Sequence, residues 1–402
     1  MEKIMIINSG SSSLKFKVFS NVDHKNLASG LIERIGLPDS KIKVKYGNGK
    51  KFELVQDVAN HLQGIELLLA TLKKLHVIDD LNEIKGIGHR VVAGGEYFSQ
   101  PVVIDNDVIE KIKKLAELAP LHNPANLNGI KAFRKYLPSA LEVAVFDTAF
   151  HQTLPEENYM YSTPYEWYEE YGVRRYGAHG ISHEYVANKA AEMMGRPLEE
   201  LKLITCHLGA GASITAVKNG HSFDTSMGFT PLSGIQMATR SGDVDISLAN
   251  YIMKKLKVKS MSDMVYLLNE KSGFLGVSGV SADMRDVEDA AAEGNKRAQL
   301  AIKLFYNSIL RYVGQYIAEM GGVDGIVFTG GVGENSPETS EEIMKRLAYM
   351  GVTINETENK KRGTKTIISG PDSTVTVMRI PTDEEYMIAK HVWDLLDEQT
   401  KD

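Results

Sequence analysis

The sequence has little cysteine, no long apolar run and no excess of positive charge. Its 402 residues include one cysteine, Cys206, which excludes a disulfide framework and a cysteine-rich zinc site. Lysine and arginine number 46 against 52 acidic residues, so the net charge of −6 provides no basic field for a nucleic-acid backbone or an anionic membrane. Apolar stretches such as residues 4–7 are far shorter than the roughly 18 residues that span a bilayer. We therefore expect a cytoplasmic protein with no nucleic-acid partner, no membrane segment and no signal peptide.

What is present is the composition of a globular protein, with 43% apolar and 24% charged residues. At roughly 100 to 200 residues per domain, the length predicts two domains, or three at most. Apolar periodicity alternates between strand and helix throughout, which predicts an α/β fold. The predicted strands are residues 3–8, 14–19, 84–92, 141–146, 201–206 and 325–328. The predicted helices are residues 56–75, 109–118, 182–194, 245–257, 297–320 and 338–347.

One sequence pattern occurs twice, about half a chain apart. Residues 5–13 and 204–212 both run from an apolar strand through a small-residue turn into another strand, and Gly10 aligns with Gly209. A single turn of this kind is weak evidence, because tight turns favour glycine and serine for steric reasons. Two of them indicate a duplicated fold. Turns that face each other would form a cleft whose backbone N–H groups surround phosphate oxygens.

Other residue clusters allow both a functional and a structural interpretation. Residues 330–335 form a glycine-rich turn between strand and helix, which suits either a nucleotide or a plain turn. Arg90, Arg240 and the pair at 174–175 lie near glycines, although most arginines are simply solvated. Asp147 and Glu384 are candidate ligands of a divalent cation, and Glu384 equally suits a helix N-terminus. By itself, Cys206 is best explained as a small buried apolar residue.

Ordered motifs along the whole chain add a family resemblance. They are INSGSSSLK at 7–15, GHRVV at 88–92, PLHNPAN at 120–126, FDTAFH at 146–151, RRYGAHGISH at 174–183, HLGAGAS at 207–213, DTSMGFTPL at 224–232, TRSGDVD at 239–245, SADMRD at 281–286, GGVGENS at 330–336 and PTDEE at 381–385. Together they resemble the acetate kinase family, which belongs to the superfamily of acetate and sugar kinases, heat-shock chaperones and actin. The likeness covers residues 4 to about 390.

The resemblance implies an α/β fold of duplicated ribonuclease-H-like domains, with a two-lobed actin-like ATPase architecture and a central nucleotide cleft. The implied lobes are residues 1–150, completed by a C-terminal helix from about 387 to 402, and a nucleotide-binding lobe of residues 151–386. It also implies a homodimer. The implied reaction is the reversible transfer of a phosphoryl group from ATP to acetate, which gives ADP and acetyl phosphate. Mg²⁺ is the implied metal, with Mn²⁺ as an alternative.

The family motifs also imply roles for individual residues. The implied catalytic residues are Asp147, His179 and Arg240. The implied acetate site consists of Arg90, Val92, Leu121, His122, Ala178 and Pro231. The implied nucleotide contacts are Lys15, Ser11, Ser13, His207, Leu208, Gly209, Ala210, Gly211, Asp283, Met284, Arg285, Gly331, Val332, Gly333, Glu334 and Asn335. The implied metal ligands are Asn8 and Glu384. Asp147 resembles the acid of the family, but acetate is already ionised at pH 7 and needs no base, so we expect Asp147 to orient Arg90 or a metal-bound water.

Alternative functions remain open at this point. Ala178 stands where the family commonly has Phe, which keeps a propionate kinase or a broad short-chain carboxylate kinase open. A sugar kinase would use a carboxylate as the base for a hydroxyl group. An ATP-switched binding protein of the same superfamily would not need Arg90, Arg240 and His179 as acceptor-binding charges. Ala93, Ile181 and Ala210 are further departures from the family pattern, and none of them removes a proposed charge.

Overall fold

A computed structural model describes residues 1–120 and 122–399 of the chain. The chain divides into two compact units. The first consists of Met1–Phe150 and the C-terminal segment that begins at Asp383, and the second is His151–Thr382. Among the described residues, no helix is long and apolar enough to cross a membrane.

The first unit is built on a mixed sheet. Its strands are β1 (Lys3–Ser9), β2 (Ser13–Ser20), β3 (Asn26–Glu33), β4 (Lys41–Tyr46), β5 (Lys50–Val55), β6 (Ile84–Val91), β7 (Val102–Val103) and β8 (Leu141–Phe146). Their order across the sheet is β5-β4-β3-β2-β1-β6-β8-β7. Within β1 to β5 each strand is antiparallel to its neighbour in the sheet, whereas β1, β6 and β8 run parallel.

Three helices pack against this sheet. They are α1 (His61–Lys74), α2 (Asn106–Lys114) and α3 (Asn123–Tyr136). The sequence predicted a helix over 56–75, but α1 begins only at His61. Asn60 caps its N-terminus by accepting a hydrogen bond from the Gln63 N–H at 3.0 Å, and residues 56–60 connect strand β5 to the helix. The α1 face formed by Ile65, Leu68 and Leu72 is buried in the core beside the sheet.

The second unit has its own mixed sheet. Its strands are β9 (Lys202–Leu208), β10 (Ala212–Lys218), β11 (His221–Thr225), β12 (Gly325–Thr329), β13 (Thr366–Ile367) and β14 (Thr376–Arg379), in the order β11-β10-β9-β12-β14-β13. Its helices are α4 (Glu156–Tyr159), α5 (Glu166–Tyr171), α6 (Gly180–Met194), α7 (Ile246–Leu256), α8 (Met261–Glu270), α9 (Gly273–Ser278), α10 (Met284–Ala292), α11 (Lys296–Met320), α12 (Gly330–Asn335), α13 (Pro337–Arg346) and α14 (Glu356–Asn359). The long helix α11 buries Phe305, Ile309 and Val313 in the core of this unit.

The last helix, α15 (Glu384–Gln399), belongs to the first unit and packs on β1 and β6. A Cβ at Gly88 would lie 2.5 Å from Ile388, so glycine on β6 permits this close approach.

The predicted duplication is confirmed by the two sheets. In each sheet an antiparallel group of three strands is followed by two parallel strands, in the order β3-β2-β1-β6-β8 and β11-β10-β9-β12-β14. The turns at Gly10 and Gly209 occupy equivalent places, because Gly10 lies between β1 and β2 and Gly209 lies between β9 and β10. The chain therefore has the predicted α/β fold, a two-domain fold of the actin-like ATPase type.

Candidate active site

Polar side chains lie at the carboxyl ends of three neighbouring strands of the first sheet. Asn8 lies on β1, Arg90 lies on β6 and Asp147 directly follows β8. Because these strands are parallel neighbours, their carboxyl ends share one edge, where α/β sheets bind ligands. The Asp147 N–H donates to the Val91 carbonyl oxygen at 3.0 Å and so joins two of the strand ends. The sheet thus brings an amide, a guanidinium and a carboxylate together.

Arg90 and Asp147 form a bidentate ion pair. Arg90 Nε donates to Asp147 Oδ1 at 3.1 Å, and Arg90 Nη2 donates to Oδ2. Arg90 Nη1 donates to Asn8 Oδ1 at 3.4 Å. The Asp147 side chain is only 4% exposed, whereas that of Arg90 is 21% exposed. Asp147 therefore fixes the guanidinium plane from the protein side and leaves part of Arg90 open to a ligand.

The charges of this cluster depend on one another. Burial raises the pKa of Asp147 to about 6, with Arg90 opposing the rise and Glu384 adding to it. Burial opposes the charge of Arg90, but Asp147 and Glu384 outweigh it and raise the Arg90 pKa. Asn8 and Glu384, the two predicted metal ligands, therefore both lie near Arg90. Among the described residues, no group of three His, Cys, Asp or Glu side chains is placed to hold a metal.

The predicted nucleotide contact Lys15 and the neighbouring Lys17 lie beside the start of α15. Lys15 forms an ion pair with Glu385, and its side chain is 53% exposed. Lys17 bridges Asp383 at 2.7 Å and Glu385 at 3.2 Å. These carboxylates compensate the charges of both lysines. A phosphate at Lys15 would compete with Glu385.

The remaining predicted residues of the first unit lie in turns. Ser11 and Ser13 flank the Gly10 turn, where the Gly10 N–H donates to the Ser13 carbonyl at 2.9 Å. The Val92 N–H donates to Asn126 Oδ1 at 3.2 Å. His122 is exposed and immediately precedes α3. Leu121, predicted to contact the acetate methyl group, lies outside the described residues.

The second unit contains a cavity of about 410 Å³. Eight predicted nucleotide residues line it: Gly209, Ala210, Asp283, Met284, Arg285, Gly331, Val332 and Asn335. Three stretches of chain contribute them, namely the β9–β10 turn, the start of α10 and helix α12. Asp283 caps α10, and its carboxylate also pairs with Arg285, with Oδ2 accepting from Nη2 at 2.6 Å. This arrangement suits a ligand that combines an apolar ring, hydroxyl groups and phosphates.

The glycine-rich segment between β12 and α13 is helical rather than a simple turn. Gly330 starts α12 with a φ of 77°, and a Cβ there would lie 2.8 Å from the Leu208 carbonyl oxygen. Glu334 Oε1 accepts from the Gly330 N–H at 3.0 Å and from the Thr382 N–H at 3.1 Å. Glu334 thus holds the backbone, and it is not among the residues that line the cavity. Gly333 is also not among the residues that line the cavity, and it packs against Phe328.

Beside the Gly209 turn lie two of the predicted phosphoryl-binding groups, His179 and Arg240. A Cβ built on Gly211 would be 3.4 Å from His179 Nε2 and 3.7 Å from Arg240 Nη1. His179 adopts a φ of 58°, which is strained for a residue with a side chain, and its Nδ1 lies 2.8 Å from Ser213 Oγ. Its ring stacks on that of His207, with centroids 4.3 Å apart. The strained backbone and the two contacts hold the His179 ring in one place.

Arg240 lacks a carboxylate partner within the described part of the chain. Its Nη1 donates to the Pro231 carbonyl at 3.1 Å. Burial lowers the pKa of Arg240, and the negative charge of Glu270 opposes this effect. A partly buried cation without an ion-pair partner is costly unless an anion completes the site. Ala178, the other predicted pocket residue of this unit, is 5% exposed, and its carbonyl lies 2.9 Å from His151 Nε2.

Sequence reasoning missed six residues that also line the cavity. They are Ala238, Phe274, Ala282, Glu288, Ser336 and Arg362. Ala282 and Ser336 lie within motifs that the sequence analysis quoted, but no role was given to them. Phe274 and Arg362 stand in segments without a recognisable motif, and only the fold brings them to the cavity. Ser336 Oγ donates to Glu288 Oε1 at 3.2 Å, so one wall of the cavity is polar.

Comparisons with known proteins match the whole described architecture. The model of the acetokinase family matches residues 3–390. An acetate kinase of Fructilactobacillus sanfranciscensis is 56% identical over 395 residues, which cover 98% of this chain and 99% of that protein. A crystal structure of Porphyromonas gingivalis acetate kinase aligns with a TM-score of 0.94 at 46% identity, over 98% of this chain and 100% of that one. A propionate kinase from Francisella tularensis aligns with a TM-score of 0.91 at 40% identity, over 98% and 100%.

Proposed function

The chain belongs to the acetokinase family and phosphorylates acetate with ATP, and from this premise we propose how its residues divide the work. The phosphotransferase reaction uses ATP or ADP, a divalent metal, and acetate or acetyl phosphate. The observation that carries the residue assignment is the presence of arginines equipped for anions in both units. Arg90 is held by Asp147, and Arg240 is partly buried without a carboxylate partner among the described residues.

We assign the acetate carboxylate to Arg90. A guanidinium fork matches a carboxylate in two parallel hydrogen bonds, and Asp147 keeps the fork in one orientation. The carboxylate of acetate is itself the nucleophile and is ionised at neutral pH. Asp147 therefore acts by holding Arg90 rather than by removing a proton. Pre-orientation of this kind lowers the barrier without covalent chemistry.

The nucleotide is assigned to the cavity of the second unit. The backbone N–H groups around Gly209 and Ala210 suit phosphate oxygens, and Asp283 suits the ribose hydroxyls. Arg240 and His179 lie beside the same turn, where they would stabilise charge on the transferring phosphoryl group. Phosphoryl transfer depends mainly on such positioning and electrostatic stabilisation.

We propose Mg²⁺ as the divalent metal, with Mn²⁺ as an alternative, and Asn8 and Glu384 as its protein ligands. An amide oxygen and a carboxylate are hard oxygen ligands, and Mg²⁺ commonly binds through one or two carboxylates together with substrate phosphates and water. Burial is the main cause of the raised pKa of Asp147, and the nearby charge of Glu384, which a cation would offset, adds to it. When bound, the metal neutralises phosphate charge.

Propionate remains the alternative acceptor, and Ala178 bears on it. Ala178 is 5% exposed in a packed core that includes Met227 and Leu208, so a larger side chain there must displace its neighbours. Ala178→Phe should lower kcat/KM for propionate relative to acetate roughly tenfold, because an extra methylene in a tight pocket is rejected by this order. Ala178→Ser, which barely changes volume, serves as the control. An unchanged propionate-to-acetate ratio in Ala178→Phe would remove Ala178 from the acceptor pocket.

ADP release with separate acceptors tests the proposal as a whole. The enzyme receives ATP and Mg²⁺ with acetate, propionate, butyrate or glycerol, or with no acceptor. Acetate should give the fastest release. Equal release without an acceptor would instead indicate an ATP-switched binding protein, and release that depends on glycerol would indicate a sugar kinase.

We further propose that the enzyme is a cytoplasmic homodimer. Exposed apolar side chains on α7 and α8 support a self-association surface, among them Tyr251 at 59%, Leu256 at 64% and Tyr266 at 55% exposure. Sedimentation of the wild type should give twice the mass of one chain. Tyr251→Glu with Tyr266→Glu should give the monomer, and a wild-type monomer would refute the assignment.

A further inference from the structure

The second unit buries an arginine completely. Arg379 is the last residue of β14, and its exposure is 0%. No carboxylate forms an ion pair with it in the part of the chain that the structure describes. Arginine is almost never fully buried unless it is paired, because its charge loses the solvation of water. The groups that replace water around the Arg379 guanidinium therefore indicate the role of this residue.

Backbone and side-chain oxygens from a single region surround Arg379. Nη1 donates to the carbonyl oxygens of Asn359 at 2.8 Å and Lys361 at 2.7 Å. Nη2 donates to Ser340 Oγ at 3.1 Å and Asn359 Oδ1 at 2.9 Å. These acceptors belong to α13, to α14 and to the segment that follows α14. A single side chain on the sheet thus binds three consecutive pieces of chain.

The bound segment forms part of the nucleotide cavity. Arg362 lines the cavity and directly follows Lys361. The Gly363 N–H donates to the Glu334 carbonyl oxygen at 2.8 Å, which fixes the segment on its other side. Helix α13, which carries Ser340, is capped by Ser336, another residue of the cavity. The Arg379 hydrogen bonds therefore end one residue before a cation that faces the nucleotide site.

We propose that Arg379 is a positioning residue for ATP, which holds the segment after α14 so that Arg362 presents its guanidinium to the bound nucleotide. This inference rests on the proposed nucleotide site. Arg362 is itself held only loosely, with one ion pair to Glu338 at 3.5 Å and 61% exposure of its side chain. Its backbone must therefore be placed from elsewhere. A lysine at 379 could not replace the planar fork that reaches several oxygens at once.

A purely structural role for Arg379 makes a different prediction, because it would affect stability without favouring one substrate. A positioning role requires that the effects of Arg379 and Arg362 on ATP be coupled. The test therefore measures KM for ATP, KM for acetate, kcat and the melting temperature in Arg379→Lys, Arg362→Ala and the double variant. Ser340→Ala removes one of the Arg379 hydrogen bonds, together with those that Ser340 Oγ donates to Asn359 Oδ1 and the Pro337 carbonyl, and it serves as the milder variant if Arg379→Lys folds poorly. Asp283→Ala reports independently on the nucleotide cavity.

We expect Arg379→Lys and Arg362→Ala each to raise KM for ATP roughly tenfold, which is the effect of losing about one charged hydrogen bond. The double variant should show little more than either single variant, because both remove the same contact. Ser340→Ala should raise KM for ATP roughly twofold to threefold, at the low end for one hydrogen bond. KM for acetate should change less than twofold in every variant.

Two results would overturn the proposal. In one, Arg362→Ala weakens ATP binding while Arg379→Lys and Ser340→Ala lower only the melting temperature. In the other, the two arginine effects multiply in the double variant. If Arg362→Ala and Asp283→Ala both leave KM for ATP unchanged, the nucleotide site itself is misassigned and this inference falls with it.

Discussion

The two sheets share one strand order but carry different chemistry at the same edge. Strand register relates the two halves, since Ile7 pairs with His89 as Cys206 pairs with Phe328. Three positions at the carboxyl edge then correspond: Asn8 with His207, Arg90 with Thr329, and Asp147 with Thr382. An ion-paired cluster in the first unit thus stands where the second unit has a histidine and two threonines.

In place of this ion pair, the second unit has a chain of hydrogen bonds between side chains. Thr382 Oγ1 lies 2.8 Å from Ser182 Oγ, which lies 2.8 Å from His207 Nδ1. Thr329 Oγ1 donates weakly to Glu334 at 3.5 Å. The duplicated scaffold therefore fixes where side chains emerge, and the residues at the strand ends decide what they bind. A carboxylate substrate and a metal need fixed charges, whereas a nucleotide can rely on glycine turns and backbone N–H groups.

Removing the charge of Asp147 should have the largest effect. Asp147→Asn leaves the guanidinium of Arg90 without its anionic partner, so kcat/KM for acetate should fall roughly 10²- to 10³-fold, as for the loss of a preorganised electrostatic contact. Steady-state kinetics at saturating ATP measure this effect. Asp147→Asn that kept metal affinity and Arg90 geometry, yet lost nearly all turnover, would show that Asp147 transfers a proton instead.

The charged cluster of the first unit should also give kcat/KM for acetate an acid limb in its pH profile. Burial raises the pKa of Asp147 to about 6, so the carboxylate gains a proton as the pH falls through 6 and its ion pair with Arg90 weakens. Below this pH, kcat/KM for acetate should fall about tenfold per pH unit. Acetate itself stays ionised down to about pH 5, so the limb belongs to the enzyme. The limb should be absent from Asp147→Asn, and its persistence there would assign it to another group.

Stability should follow the opposite pH trend. Folding raises the pKa of Asp147 above its ordinary 3.8, so the folded state favours the protonated form. The stabilisation from this group is therefore present below pH 3.8 and is lost as the pH rises through about 6. Denaturant unfolding of the wild type and Asp147→Asn at pH 5 and 7 measures the difference. A pH dependence identical in both proteins would contradict the assignment.

Adjacent glycines of α12 should separate stability from nucleotide binding in the second unit. Gly330 has positive φ and no room for a Cβ, and its counterpart in the first unit is Val91. Gly330→Ala should cost about 1–3 kcal/mol of unfolding free energy. A Cβ at Gly331 meets no atom within 4 Å, but this residue lines the cavity. Gly331→Ala should keep the melting temperature and raise KM for ATP several-fold, and the reverse pattern would refute the assignment.

The counterpart of Asp147 should tolerate change best. Thr382→Val removes a neutral hydrogen bond to Ser182, which costs about 1 kcal/mol. We expect a drop of a few degrees in melting temperature and a change in kcat of less than fivefold, measured beside Thr382→Ser as the matched control. A loss of activity as large as that of Asp147→Asn would show that both halves contribute charge-critical positions.

Periodicity alone predicted the parts of the fold where local and tertiary preferences agree. Strands β1, β2, β6, β8, β9 and β12 and helices α6, α7 and α11 lie within a few residues of their predicted places. Strands β3 to β5 received no prediction, although β4 alternates exposed lysines with the buried Ile42 and Val44. The register of these strands depends on partners that a local pattern does not contain.

The site divides in the same way. Motifs identified Arg90, Asp147 and the glycine turns because their chemistry is concentrated in short stretches. Arg379 carries no motif, and its burial arises from a strand pairing and a segment almost twenty residues earlier in the chain. A sequence therefore shows which residues can bind an anion, but not which distant residues position them.

The lone thiol of Cys206 has a practical consequence. It is 0% exposed on the central strand β9, and burial raises its pKa far above that of an ordinary thiol. Thiol-labelling reagents, which react with the thiolate, should therefore not modify Cys206 in the folded state. The wild-type chain should therefore give no background signal in a thiol-labelling experiment. A cysteine introduced at an exposed position such as Tyr349 would therefore be the one site to take a fluorophore or spin label in the folded protein.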